Sequence, residues 1–436
     1  MIKRILEKRK LLIVILIFTF ATAGVFAGRW TIRTVIAEDA YEDLKIFTES
    51  LSIVRKNYVE EVKPKDLVYG AIKGMLASLD PHSAFMTPEQ YKEMQIDTKG
   101  EFGGVGIQIG IKDGMLTVIA PIEDTPAYKV GIKAGDKIIK IDDEFTKDMT
   151  LQDAVNKMRG IPSTTVKITI IREGWKETRD FVITREIIKI DSVKTKIIED
   201  NIGYVKINQF QEQTASELSE GLKNLSKNNI DSIILDLRNN PGGLLNAAVD
   251  VTSQFLPEGK IIVSIKDKKG EKIEYRSEKS DINISLPMIV LVNQGSASAS
   301  EIVAGALKDW NRAVIMGTQT FGKGSVQSVI PLGDGSALRL TTARYYTPKG
   351  TSIQTTGITP DILVKLVING EEKAGHPAIR EKDLKRHLEN DEKEQKPSEP
   401  EEIIPIEVDE NEDMQLQRAI DLLKTWKVFK HLPKAS

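Results

Sequence analysis

The sequence has 436 residues, with 61 basic against 63 acidic side chains, a formal net charge of −2 and no cysteine. That length admits two or three domains, the near-balance of charge offers no field for a nucleic acid, and the absence of thiols excludes disulfides, thiol catalysis and cysteine-ligated zinc. The four histidines, His82, His376, His387 and His431, form no cluster, so neither a metal site nor a cofactor is expected.

In chain order, Lys3, Arg4, Lys8, Arg9 and Lys10 precede an uncharged apolar run from Leu11 to Gly28. A positive flank before such a run reads as an inside-anchored membrane span or an export signal. The run is about the minimum length that crosses a bilayer, and Ala21-Thr22-Ala23 offers a small-residue cleavage pattern. Residues 1–28 are therefore expected to anchor the chain to the cell membrane or to be removed on export, with the body extracytoplasmic in either case.

Residues 29–97 read as a helical region. Leu44, Phe47, Leu51, Val54 and Tyr58 recur at helical steps, and so do Leu67, Ala71, Met75 and Leu79, with Asp66 as a cap and Asp80-Pro81 as a stop. The stripes suit a small helical domain or a self-association surface in a homo-oligomer.

Over residues 98–185 the period changes to two. Val105, Ile107, Ile109 and Ile111 alternate up to Asp113-Gly114, a hairpin signal, before Met115 to Ala120. Thr150 and Asp153 form a capping box for a helix whose Leu151, Ala154, Val155 and Met158 share one face. These short strands, the single helix and Phe102-Gly103-Gly104-Val105-Gly106 together resemble a PDZ domain. Bare amides at Gly103, Gly104 and Val105 could hold a terminal carboxylate, with Gly106 and Ile107 leading into the strand beside which a peptide would add. Arg159, at the end of that helix, reads as an ordinary helix-terminal arginine or as a link between peptide occupancy and catalysis.

From residue 186 to 368, apolar strands feed helices. Ile202 to Ile207, Ser232 to Leu237 and Met288 to Val292 are strands, and Thr214 to Leu225, Leu244 to Phe255 and Glu301 to Trp310 are helices. The pattern implies a helix-covered sheet with its chemistry at the carboxyl ends of the strands. Residues 369–412 are polar and charged and read as a linker. Residues 413–436 hold a last helix with Leu416, Ala419, Ile420, Leu423 and Trp426, expected to dock back on the body.

No histidine lies in the α/β section, so a Ser-His-Asp triad there would need His82, whose place after Asp80-Pro81 suits a loop or capping role. A serine can instead use a neutral lysine as base. Lys323 stands between two glycines, near apolar Phe321 and Val326. In an extended segment it shares a face with Ser325 and Gln327, whose amide could orient the amine. Ser298 follows a buried strand, but Ser298-Ala299-Ser300-Glu301 is equally a capping box, and Ser296 and Ser300 are further candidates. Two oxyanion donors are available in the amide of Ala299 and that of Gly242 or Gly243, although Pro241-Gly242-Gly243 could be a plain turn.

Several stretches together resemble the carboxyl-terminal processing, or tail-specific, proteases: Leu79 to Met86, Phe102 to Gly106, Leu235 to Gly243, Gly295 to Ile302, Phe321 to Gln327 and Gln415 to Ile420. The resemblance implies a multidomain α/β architecture with an N-terminal helical region, a β-rich PDZ domain and a crotonase/ClpP-like α/β protease core closed by a C-terminal helix. It implies Ser298 as nucleophile, Lys323 as general base with Gln327 in support, and oxyanion amides at Gly242 or Gly243 and at Ala299. Substrates would be polypeptides with free carboxyl ends. The rival readings are a non-catalytic PDZ scaffold of the cell envelope and an acyl-CoA enzyme of the crotonase type.

Overall fold

The computed structural model describes residues 42–280, 285–365, 379–390 and 413–431. The apolar run at 11–28 lies outside them, and among the described residues no helix is long and apolar enough to cross a membrane.

Two helices open the described chain, over residues 42–57 and Pro64–Ala77. The periodicity is realised as helix, but Leu44, Phe47, Val54, Tyr58 and Met75 are exposed in the single chain. Asp66 sits inside the first turn of the second helix rather than capping it.

After Ala77 the chain departs from a purely helical region. The Asp80 carboxylate accepts from the backbone N–H of His82 and of Ser83, each at 2.8 Å, and from Ser83 Oγ. This tight turn launches the strand Ala84–Met86, which pairs antiparallel with Ala337–Tyr346 of the later sheet. The expected helical region up to residue 97 therefore contributes a strand to a sheet of the larger core. A helix, Pro88–Lys99, follows, closed at its N-terminus by a Thr87–Gln90 capping box.

The β-rich domain is a sheet in the order Ile107–Lys112, Met115–Pro121, Lys137–Ile141, Thr165–Ile171, Arg179–Thr184. Asp113 and Gly114 turn its hairpin with φ of 52° and 73°, the left-handed pair a type I′ turn demands. The Thr150–Asp153 box caps the helix Leu151–Met158 as expected. Val118, Ile138, Ile168 and Ile170 are fully buried beneath it, each contributing roughly 1.5–3 kcal/mol of burial. The strand Ile107–Lys112 is left at the sheet edge.

The larger core is a six-stranded sheet in the order Val193–Ile198, Ile202–Ile207, Ser232–Asp236, Met288–Val292, Val314–Gly317, Ile362–Leu363, parallel except for its first pair. Both faces are covered, which is why Ile233-Ile234-Leu235 and Met288 to Val292 are unbroken apolar runs. Helices Thr214–Lys227, Leu245–Ser253 and Ala299–Asp309 pack on Val205, Leu235 and Val290. On the other face Leu416, Ala419, Ile420 and Leu423 of the helix Met414–His431 meet Tyr204, Ile234, Ile289 and Leu291. Arg238 grips Asp413 at its start through two bonds of 2.8 and 2.7 Å, while Trp426 stays exposed.

Two features differ from the sequence expectation. A second, antiparallel sheet joins Lys272–Arg276, Ile261–Asp267, Ala337–Tyr346, Ser325–Pro331 and Ala84–Met86. Residues 379–390, within the stretch expected to be a linker, fold against the core, with Glu381 fully buried.

Candidate active site

Ser298 follows the strand Met288–Val292 at the head of the helix Ala299–Asp309. Its φ of 54° and ψ of −111° are unusual for a side chain with a Cβ, and such strain collects where a nucleophile is held on a sharp strand-to-helix turn. The three serines are not equivalent. Ser296 Oγ donates to Leu237 O at 2.8 Å and Ser300 Oγ to Asn240 O at 2.9 Å, whereas the Ser298 hydroxyl makes no cap bond to the helix. Across the expected box, Glu301 Oε2 accepts from Ser298 N–H at 2.8 Å.

Glu301 also organises the lysine loop. Its Oε2 accepts from Lys323 N–H at 2.9 Å, and its Oε1 from Gly322 N–H at 2.7 Å and Thr320 Oγ1 at 2.6 Å. Burial pushes the Glu301 carboxyl up to about 7, against the pull of those donors. The Lys323 amine makes no hydrogen bond or ion pair among the described residues. Burial, and secondarily the positive charge of Arg339, hold it below the ordinary lysine value, while Glu381, Glu301 and Asp80 pull the other way.

The two glycines expected at the oxyanion position differ. The Gly242 N–H donates to Asn240 Oδ1 at 2.9 Å. Gly243 bridges Phe210, which donates to Gly242 O and accepts from Leu244 N–H. The N–H groups of Gly243 and Ala299 are left without an acceptor among the described residues. Gly242 lies against the serine turn, where a Cβ would stand 2.8 Å from Ala297 O and 2.9 Å from Ser298 Cβ.

Gln327 is not brought to Lys323. Its Nε2 donates to Ser325 Oγ at 2.9 Å and reaches Thr341 Oγ1 at 3.4 Å. The strand begins only at Ser325, after Lys323, and there Gln327 bonds its same-face neighbour Ser325, while the register slip beside it is taken up by Thr342 on the opposing strand.

In the β-rich domain, Gly103 and Gly104 belong to a short strand paired with Glu186–Lys189. Val105 is buried and Gly106 turns the chain, and their N–H groups have no acceptor among the described residues. Ile107 begins the edge strand. Arg159 stacks 4.5 Å over the Phe102 ring and pairs with Glu93 at 2.6 Å.

A family model described as Peptidase family S41 matches residues 201–364, a PDZ domain model matches 93–171, and one described as the activating protease CtpB N-terminal domain matches 31–90. The chain is 43% identical over 409 residues to a carboxy-terminal-processing protease of Bartonella bacilliformis, covering 93% of this chain and 94% of that protein. The chain belongs to the carboxyl-terminal processing proteases. It is also 38% identical over 314 residues to the carboxy-terminal processing protease CtpA of Bacillus subtilis, covering 72% of this chain and 67% of that one. Among solved structures, a photosystem II D1 C-terminal processing protease is 31% identical with a TM-score of 0.43, covering 75% of this chain and 97% of that one.

This carboxyl-terminal processing protease is thus a serine-type peptidase of family S41 carrying a PDZ domain. Two of its site residues escape sequence reasoning. Glu301 reads only as half of a capping box, and Glu381 lies in a charged stretch with no periodicity. For Glu301 alone a signal exists, since a carboxylate inside the otherwise uncharged run Ser300 to Leu307 needs several donors.

Proposed function

We propose that the protein is an extracytoplasmic endopeptidase, tethered by residues 1–28, that captures polypeptide carboxyl ends at its PDZ domain and cuts with a Ser298–Lys323 dyad. Lys323, neutral because it is buried, takes the Ser298 proton as Oγ attacks the scissile carbonyl carbon. The tetrahedral oxyanion accepts from the N–H groups of Gly243 and Ala299. Its collapse expels the amine, which takes the proton back from Lys323, and leaves an acyl-enzyme on Ser298. Water then releases the acid, with Lys323 again as base. Gly242 serves by letting the serine turn come close, and Gln327 positions Ser325 on the strand behind the lysine loop.

The observation that carries this reading is the unpartnered, buried amine of Lys323 on a loop whose backbone shares a carboxylate oxygen with Ser298. For the substrate, the exposed edge of Ile107–Lys112 suits strand addition, and the unpaired amides at Val105 and Gly106 suit a terminal carboxylate.

Digestion of an unfolded test protein, with its carboxyl end free or amidated, tests the proposal. Wild type is expected to cut the free-ended form faster, while Ser298→Ala and Lys323→Ala leave both intact. Equal digestion by Lys323→Ala would remove Lys323 as the base, and indifference to amidation would remove carboxyl-end capture.

A further inference from the structure

Asn240 lies in the turn after the strand Ser232–Asp236, two residues before Gly242, and is fully buried. Its backbone oxygen accepts from Ala297 N–H at 3.0 Å and from Ser300 Oγ at 2.9 Å, and so straddles Ser298 and Ala299. Its side chain makes two more bonds. Oδ1 accepts from Gly242 N–H at 2.9 Å, and Nδ2 donates at 2.8 Å to Ile207 O, at the end of the neighbouring strand Ile202–Ile207. Its own N–H donates to Leu237 O at 3.3 Å, so all four polar atoms are engaged. The glycine turn is also bonded from outside by Phe210, three residues beyond Ile207, which bridges Gly243.

Two donor amides aimed at one oxygen have to be held at a fixed spacing, and here they come from different turns. Resting on the reading of Ser298 as nucleophile with Gly243 and Ala299 as oxyanion donors, we infer that Asn240 is a positioning residue that sets the spacing of those two amides. Through its side chain it fixes the peptide that leads into Gly243, where φ is 142°. Through its backbone oxygen it fixes the serine turn on both sides of Ala299. The position demands asparagine, because one short side chain has to accept from an N–H and donate to a carbonyl. An ionised aspartate supplies only the acceptor and sets a charge against the Ile207 carbonyl, and leucine supplies neither bond.

The plain alternative is that Asn240 only satisfies buried backbone groups, so that replacing it lowers stability and nothing else. Asn240→Asp separates the two, because it keeps the shape and the acceptor and removes the donor. On protein shown by its melting curve to be folded, kcat should be lower by about tenfold to a hundredfold with KM unchanged. A peptide aldehyde, whose adduct with Ser298 places an oxygen anion between the same two amides, should lose affinity by the same factor. As pH falls, the new carboxyl gains a proton that it can donate to Ile207 O, so the ratio of variant to wild-type kcat should climb back toward one. A folded Asn240→Asp enzyme with wild-type kcat, or one that is slowed while its aldehyde affinity stays at the wild-type value, would overturn the inference. Should that variant not fold, Ser300→Ala removes a single bond to Asn240 O. It should lower kcat and aldehyde affinity together by about fivefold, and wild-type values of both would overturn the inference. Ser298→Ala, run alongside, keeps the two claims apart. If cutting survives it, the reading of Ser298 as nucleophile fails and takes this inference with it. If it abolishes cutting while folded Asn240→Asp cuts at the wild-type rate, only Asn240 is dismissed.

Discussion

Ser298 and Lys323 donate their backbone N–H groups to one and the same oxygen, Glu301 Oε2, at 2.8 and 2.9 Å. The two nitrogens can be no farther apart than those bonds allow. Two turns from different sheets thus share a single buried anchor, and the anchor sets their separation.

Glu301→Gln puts an N–H2 where one of those oxygens accepts two donors. Two charge-assisted bonds are lost, and the variant should lose about 3 kcal/mol of stability. Cutting should fall by more than roughly a hundredfold, because misplacement of a dyad is costly. Because the Glu301 pKa is raised in the fold, the stability tied to its protonation is full below about 4.5 and is lost as pH rises through about 7. The advantage of wild type over Glu301→Gln in thermal melts should therefore shrink across that window. An advantage that instead grows with pH would contradict the assigned burial.

As the proposed base, Lys323 should set the acid limb of activity. Its folded pKa is lowered, so the competent neutral amine is present above a midpoint that lies below 10.5, and activity is lost as pH falls through that midpoint. Arg339 is one cause of the lowering. Arg339→Gln should move the limb of kcat/KM to higher pH, and Lys323→Arg should have no activity at any pH, since a guanidinium does not give up its proton. A limb that stays in place in Arg339→Gln would show that another group titrates.

At Gly243 a Cβ would meet Phe210 O at 2.1 Å on a backbone with φ of 142°, and at Gly242 it would meet Ala297 O at 2.8 Å. Neither contact is tolerable without movement of backbone, that of Phe210 in the first case and that of the serine turn in the second. Gly243→Ala and Gly242→Ala are each expected to lose about a hundredfold in kcat/KM, as when one oxyanion donor is removed. Peptide binding to the PDZ domain, followed by fluorescence anisotropy, should be unchanged.

Glu381 braces the lysine loop from outside. Its Oε2 meets His82 Nε2 at 2.7 Å, its Oε1 accepts from Gln354 Nε2 at 2.8 Å, and its N–H donates to Phe321 O at 3.2 Å. Gln354 Oε1 in turn accepts from Gly324 N–H at 2.9 Å. Glu381→Ala strands buried polar groups and should cost roughly 3 kcal/mol. Combined with His82→Ala the two losses should be less than additive in melting experiments, and strict additivity would mean that the pair is not coupled.

What the sequence made legible follows from what has a period or a tight chemical rule. Unbroken runs such as Met288 to Val292 announce strands covered on both faces, and Asp113-Gly114 and Thr150-Asp153 announce a turn and a cap. The blocks around Ser298 and Lys323 could be read because glycine, serine and lysine in that order restrict the chemistry. Contacts across the fold were not legible. The pairing of Ala84–Met86 with Ala337–Tyr346 depends on register between distant segments, and the burial of Glu381 on partners at 82 and 354. Gln327 shows the limit of alternation, since it shares a face with Ser325 and bonds to it, whereas Lys323 lies before the strand begins.

Reaction with a fluorophosphonate, followed by intact mass and peptide mapping, tests the dyad most directly. The prediction is a single adduct on Ser298 in wild type, formed at least a hundredfold more slowly in Lys323→Ala, whose Ser298 lacks a base. An adduct on another serine, or equal rates in the two proteins, would contradict it.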